Sequence, residues 1–398
     1  MFLSCRCLNC ITPPLLLEKL RQSGNPAIRE AALATTLTTA RLRGERFARA
    51  AFGPGIGPGD GRRTIYDCRN GTLQGAAVAR NEDNDPVADE SVNRAFDGLG
   101  ATRRFFDEIL GRNSIDDNGF RLNGYVHFGN AYNNAFWDGA QMVFGDGDGI
   151  VFSDLTGSLD VIGHELTHGV TEFAAGLVYH FQPGALNESM SDVFGSLVKQ
   201  WVLGQAADEA DWLIGPDIFT PQIDADALRS MKAPGTAYDN PDFGKDPQPD
   251  HMNKYVNLPD TDAGDYGGVH VNSGIPNKAF YLTAIQIGGN AWEAPGEIWY
   301  ESLKASSPTT QFQDFADTTY MKAGQICGPG SAEQEAVLSA WREVGIRITA
   351  PIGKGRRSAA RAIAKTCDAD MESLAKLIAA LSAQVNSLAK EVRSLKRT

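Results

Sequence analysis

The chain has 398 residues, 42% hydrophobic and 22% charged, which excludes a wholly disordered chain, a collagen-like chain and a small disulfide scaffold. Its net charge of −12 is uneven: residues 1–63 and 351–398 each carry 10 Lys/Arg against 4 Asp/Glu, while 64–350 carry 17 against 41. An acidic body between basic ends speaks against nucleic-acid binding by the body and lets either end lie on it electrostatically.

The length predicts two or three domains. No run approaches the ~18 apolar residues of a membrane span. Cys5, Cys7 and Cys10 cluster at the start, and Cys68, Cys327 and Cys367 are scattered, which is no disulfide framework. Pro13-Pro14 and Glu18-Lys19 interrupt the opening before an apolar core of a secretory signal can form. The cytoplasm is therefore the default location, with non-classical export left open.

Residues 15–20 and 30–52 are rich in Ala, Leu and Arg and predict helices. The run from Gly53 to Gly61 sustains neither helix nor strand and predicts a linker, with Arg62-Arg63 behind it as a place for a proteolytic nick. Tyr125 to Phe128 predicts a short strand, and Gly145 to Gly149 a turn before Ile150-Val151-Phe152. Residues 160–200 are helical in period with a break around Pro183-Gly184, and 275–350 are mainly helical. Strands first and helices later predict an α+β body.

At Pro351 the character changes. Residues 351–370 form a basic linker. From 371 to 398 a heptad places Met371, Ile378, Val385 and Val392 at a and Leu374, Leu381, Leu388 and Leu395 at d. Mostly β-branched a with Leu at d favours a parallel dimer, and Leu377 at g leaves a trimer or docking onto the body open.

The chemistry is concentrated in Asp160-Val161-Ile162-Gly163-His164-Glu165-Leu166-Thr167-His168. Histidines four apart share one helical face, so both imidazoles can reach one Zn²⁺ at about 2.0–2.1 Å. Glu165 beside them can take a proton from the attacking water. A catalytic zinc needs a third protein ligand, and Glu188 in Gly184-Ala185-Leu186-Asn187-Glu188-Ser189-Met190-Ser191-Asp192 is the candidate. Asp192, one turn later, suits a carboxylate that orients a ligand histidine. Alone, these two acids would read as a solvated helix face.

These motifs, with 24 residues from His164 to Glu188, resemble those of the thermolysin-like neutral metallopeptidases, over roughly residues 64–350. The resemblance implies an α+β, two-lobed zincin: a β-rich N-terminal lobe at 64–180 carrying the zinc helix, and a mainly helical lobe at 181–350. It implies His164, His168 and Glu188 as zinc ligands, Glu165 as general base and Asp192 as the partner of His164. Asn134, Ala135 and Phe136 would hold substrate backbone. Tyr179 and His270 would face the oxyanion, with Asp265 keeping His270 protonated. Arg229 would bind the carbonyl next to the P1′ residue. Phe152, Leu155, Val161, Ile214 and Leu228 would line an apolar S1′ pocket, which predicts cleavage before large hydrophobic residues; their plainer reading is ordinary core.

Pro13-Pro14-Leu15 followed by helix resembles the short propeptide of the protealysin-like branch. That implies a zymogen whose basic propeptide covers the acidic body as its inhibitor and is removed within 44–63. Cys5, Cys7 and Cys10 are either plain free thiols or the source of a thiolate that caps the zinc. Asp160 and Asp211 match the family's double calcium site, but Lys199, Leu213 and Pro216 stand where glutamates are common, so at most one Ca²⁺ is expected there. The partners expected are peptide or protein substrates, the chain's own propeptide and further copies of itself through 371–398. The alternative is a catalytically silent or narrow-specificity binding or effector protein, oligomerised by its tail.

Overall fold

The computed structural model describes residues 8–50 and 61–350, apart from the side chains of 47–50. The linker at 351–370, the heptad repeat, Cys5, Cys7 and residues 51–60 lie outside the described residues.

The N-terminal segment contributes one strand, β1 (Asn9–Cys10), and two helices, α1 (Pro14–Leu20) and α2 (Pro26–Ala50). Both helices start on proline, whose missing N–H has no intrahelical partner to lose there. The body continues with β2 (Arg63–Asp67), β3 (Ala77–Asn81), α3 (Glu90–Glu108), β4 (Leu122–Val126), β5 (Ala135–Trp137) and β6 (Met142–Phe144). These six strands form one sheet in the order β1-β5-β6-β4-β2-β3, so the N-terminal strand occupies its edge beside β5. β1 runs antiparallel to β5, with Asn9 opposite Trp137 and Cys10 opposite Phe136.

Two long helices follow, α4 (Leu159–Ala174) and α5 (Phe181–Leu203). They cross at a glycine contact. A Cβ on Gly195 would stand 2.5 Å from the Asp160 carbonyl oxygen and 3.0 Å from the His164 nitrogen, and one on Gly163 would stand 3.0 Å from the Gly195 Cα. Only glycine at both positions lets the two backbones touch. A short ladder of β7 (Leu213–Ile214) and β8 (Arg229–Ser230) comes next. The helices α6 (Asp265–Asn272), α7 (Gly274–Ile287), α8 (Ala294–Lys304), α9 (Phe312–Ile326) and α10 (Ala332–Glu343) complete the body. Trp299 and Trp341 stack in the core of this helical part, ring centres 6.2 Å apart. No described helix is long and apolar enough to cross a membrane.

Three local expectations are corrected. The break in the 160–200 helix falls at 175–180, not at Pro183-Gly184, which sit in the first turn of α5. Proline is tolerated there because the first N–H groups of a helix lack intrahelical acceptors. The strand read at 125–128 runs instead over Leu122–Val126, because His127 turns to a φ of +52°. Ile150 to Phe152 form no strand, and Phe152 makes an isolated bridge to Phe219.

Candidate active site

His164 and His168 lie one turn apart on α4, both buried. His164 Nδ1 donates to Asp192 Oδ1 at 2.8 Å, and His168 Nδ1 donates to Asn187 Oδ1 at 2.8 Å. A carboxylate and an amide oxygen only accept, so each proton sits on Nδ1 and each Nε2 presents a lone pair. The two Nε2 atoms are 3.0 Å apart. The Glu188 carboxylate, from α5, lies 3.5 Å from His164 Nε2 and 3.4 Å from His168 Nε2. Two lone pairs and a carboxylate facing one another in a buried site repel unless a cation joins them. Glu188 Oε2 is accordingly buried with no protein partner. Two imidazoles and one carboxylate are a zinc donor set, and these residues fit that ion.

Asp192 is gripped from three sides. Besides His164, it accepts from Arg229 Nη2 at 2.8 Å, Arg229 Nε at 2.9 Å and Asn277 Nδ2 at 2.8 Å. Burial alone would favour the neutral acid, but Arg229 and His164 outweigh it and hold the carboxyl below its ordinary range.

Glu165 accepts the Trp137 N–H through Oε2 at 3.0 Å, while its buried Oε1 has no protein partner. Burial, and next the Glu188 carboxylate, push Glu165 well above the usual carboxylate range. Tyr179 donates its hydroxyl to Glu188 Oε1 and lies 3.2 Å from His270 Nε2. His270 Nδ1 donates to Asp265 Oδ1 at 2.5 Å, and Asp265 Oδ2 accepts the backbone N–H of His270 and Val271. Burial would lower His270, but Glu188 and Asp265 outweigh it and raise it to about 9. A kink in α6 brings His270 in. Gly267 takes a φ of +84°, and a Cβ there would stand 2.4 Å from the Phe181 ring.

The cleft holds the chain's own residues 10–12. His270 Nε2 donates to the Cys10 carbonyl oxygen at 2.9 Å. The Ile11 N–H donates to the Ala135 carbonyl at 3.2 Å, and the Ile11 carbonyl accepts from Arg229 Nη1 at 3.2 Å. The Thr12 N–H donates to Asn134 Oδ1 at 3.0 Å. Ile11 is fully buried and belongs to the main apolar core of the body, the large cluster that also includes Phe152, Leu155, Val161, Ile214 and Leu228. Phe136 lies in a second apolar cluster, with Cys10, Phe128 and Tyr132. Helix α2 adds ion pairs from Arg43 to Asp262 and from Arg46 to Glu172, the latter at 3.0 Å.

The thiolate hypothesis is corrected for Cys10. Its Sγ faces the Leu8 carbonyl at 3.8 Å, and burial pushes the thiol up to about 12. The backbone carbonyl of Cys10, not its sulfur, points at His270. Calcium also gains no support. Lys199 Nζ sits 2.7 Å from Asp160 Oδ2, 3.0 Å from Asp211 Oδ1 and 3.0 Å from the Leu213 carbonyl. Among the described residues, the one cluster of His, Cys, Asp or Glu suited to a metal is His164, His168 and Glu188.

Sequence reasoning missed Asn187, Asn277 and the Cys10–Thr12 segment as parts of this site. Asn187 carried a signal, since it stands next to Glu188 within the same motif and four residues before Ser191, on whose side of α5 it lies. Residues 10–12 carried none beyond the prolines that follow.

Comparison with known proteins gives the same picture. Residues 60–172 match the thermolysin metallopeptidase catalytic domain, and 175–346 its alpha-helical domain. An extracellular metalloprotease of Pectobacterium carotovorum is 44% identical over 340 residues, covering 85% of this chain and 96% of that protein. Protease PrtS of a Photorhabdus strain is 49% identical over 288 residues, covering 72% and 76%. The solved precursor of protealysin, a metalloproteinase from Serratia proteamaculans, superposes with a TM-score of 0.76 at 46% identity, covering 85% of this chain and 99% of that one. The cytoplasmic default is overturned: a relative this similar over nearly its whole length is named an extracellular metalloprotease, which points to secretion.

Proposed function

The chain belongs to the thermolysin metallopeptidase family, and from that premise we propose which residues perform its reaction. It is a zinc metalloendopeptidase made with an inhibitory N-terminal propeptide, acting on peptides or proteins. His164, His168 and Glu188 hold the zinc, with Asp192 fixing the ring of His164 and Asn187 that of His168. The observation that carries this reading is the meeting of two Nε2 lone pairs and a carboxylate in a buried site.

When bound, zinc supplies the Lewis acidity that polarises the scissile carbonyl and the attacking water. Glu165 takes the proton from that water and delivers it to the leaving nitrogen; its raised affinity for a proton suits both halves of the transfer. His270, kept cationic by Asp265, donates to the oxygen on which negative charge develops, and Tyr179 stands beside it as a second donor. Substrate backbone pairs with β5 through Ala135 and Asn134, with Phe136 beneath it, and Arg229 takes the next carbonyl. Phe152, Leu155, Val161, Ile214 and Leu228 surround the P1′ side chain, so the enzyme cuts before large hydrophobic residues.

The propeptide is removed within 44–63, and the heptads at 371–398 support self-association as a parallel dimer or trimer. The test uses a peptide with Leu at P1′ and the chain nicked between 51 and 63. Hydrolysis that Glu165→Ala and a zinc chelator both abolish is the expected result. A nicked, zinc-loaded chain that cleaves no such peptide would refute it. Sedimentation of the full chain against one ending at 350 tests the tail.

A further inference from the structure

The loop that leads to His270 carries three carboxylates, Asp260, Asp262 and Asp265. Two have partners within the body: Asp260 pairs with His180 at 2.6 Å, and Asp265 with His270 at 2.5 Å. Asp262 differs. Among the described residues its one ion-pair partner is Arg43, from helix α2 of the N-terminal segment. Asp262 Oδ1 also accepts the Tyr266 hydroxyl at 3.1 Å, and the Arg43 guanidinium lies over the Tyr266 ring, 5.3 Å from its centre. A carboxylate on one side and an aromatic face on the other are the two surfaces that hold a guanidinium. Tyr266 reaches this place with a φ of +49°, between Asp265 at +54° and Gly267 at +84°, a left-handed run that a tyrosine rarely joins. The Arg43 side chain is only 17% exposed, so it fills a hollow that opens when α2 leaves.

That hollow lies beside the reacting position. The Tyr266 and Tyr179 ring centres are 6.2 Å apart, and the Tyr179 hydroxyl is 3.2 Å from His270 Nε2. The Cys10 carbonyl oxygen accepts from the same Nε2 at 2.9 Å. Residue 10 therefore stands where the P1 residue of a substrate, the one before the scissile bond, would stand. Its thiol is near enough to Arg43 for charge on either group to act on the other.

We propose that Asp262 and Tyr266 form a cation subsite in the mature enzyme, which takes the arginine or lysine side chain of a substrate at P1. This rests on the peptidase reading above. In the precursor Arg43 stands in for that side chain. Removal of α2 strips Asp262 of its cation and leaves the Tyr266 ring uncovered by Arg43. Recognition then has two parts, an apolar residue after the bond and a cationic one before it.

The experiment uses the chain nicked between 51 and 63 and freed of its N-terminal segment, with four peptides that share Leu at P1′. Three carry Arg, Ala or Glu at P1, and the fourth carries Ala at P1 and Arg at P3′. The kcat/KM for Arg at P1 should exceed that for Ala by ~3–30-fold, the worth of one part-exposed ion pair with a cation–π contact. Glu at P1 should fall below Ala. Asp262→Asn should cut the Arg-to-Glu ratio towards one, and Asp262→Lys should invert it. In the natural enzyme the ratio should shrink between about 10 mM and 500 mM salt, a readout that needs no variant to fold.

An Arg preference unchanged in Asp262→Asn, or a ratio indifferent to salt, would overturn the proposal. So would an equal gain from Arg at P3′, which would assign the effect to the acidic body as a whole. Equal rates for all three P1 peptides overturn the proposal and leave the peptidase reading standing. A nicked, zinc-bound chain that cleaves none of the four sinks both.

Discussion

Lys199 reaches from α5 to Asp160 on α4, its ammonium 2.7 Å from Asp160 Oδ2, in a pocket that excludes water from the carboxylate. Asp211 and the Leu213 carbonyl complete a ring of oxygens around one nitrogen. Burial disfavours the charged lysine, but Asp160 and then Asp211 outweigh it and raise its affinity for a proton. A covalently attached cation thus does the work of a bound one.

Lys199→Met would leave Asp160 ionised, buried and without its cation, at a cost of about 3–5 kcal/mol. A fall in melting temperature measures it. Added calcium should leave the melting temperature of the natural chain unchanged, and raise that of Lys199→Glu, where three carboxylates would share the pocket. An equal calcium response in both would contradict the account.

Asp192→Asn keeps the shape of the side chain but removes the charge shared by His164 and Arg229. Zinc affinity should fall by ~10–100-fold, as read by competition with a chelating dye. Unchanged affinity would mean that Asp192 serves only to hold Arg229.

Gly195→Ala tests how the site is assembled. The added methyl meets backbone on α4 at 2.5 Å, and backbone cannot rotate aside. The helices must separate, costing about 1–3 kcal/mol, and zinc should bind more weakly because His164 and Glu188 move apart. Denaturant unfolding and zinc titration on one sample check both; a stable variant with normal zinc affinity would show that α4 and α5 do not need this contact.

His127 bridges Asp146 at 2.8 Å and Asp89 at 2.9 Å. Burial would lower its pKa, but the hydrogen bonds to Asp146 and Asp89 outweigh it and raise the value in the folded state. A raised histidine stabilises most below its unfolded pKa of ~6.5, and that stability is lost as pH rises through the folded value. The advantage of the natural chain over His127→Gln should therefore shrink on going from about pH 6 to pH 9. Urea midpoints at the two pH values decide it, and a gap that widened would refute the assignment.

The sequence made the metal cluster readable because its information is local. His164 and His168 share a helix, as do Glu188 and Asp192, and spacing of four settles which side each pair occupies. How α4 meets α5 was not readable, since the glycines that permit the contact look like any others until the helices are placed. The Asp265–His270 pair was readable only through resemblance, because Tyr266-Gly267-Gly268 leaves the helical region and hides the period. The Pro183 break was misplaced for a related reason: a proline ends a helix or begins one, and only its neighbours in space decide which.

Arg229 touches two things at once, the carboxylate that fixes His164 and the carbonyl of Ile11. Whatever lies in the cleft and whatever ion lies on His164 are therefore coupled through a single guanidinium. Linkage makes such a coupling reciprocal: if filling the cleft changes the grip on the ion by some factor, the ion changes the grip on the occupant by that same factor. Such a coupling would tie the hold on the chain's own N-terminal segment to the supply of metal where it is made.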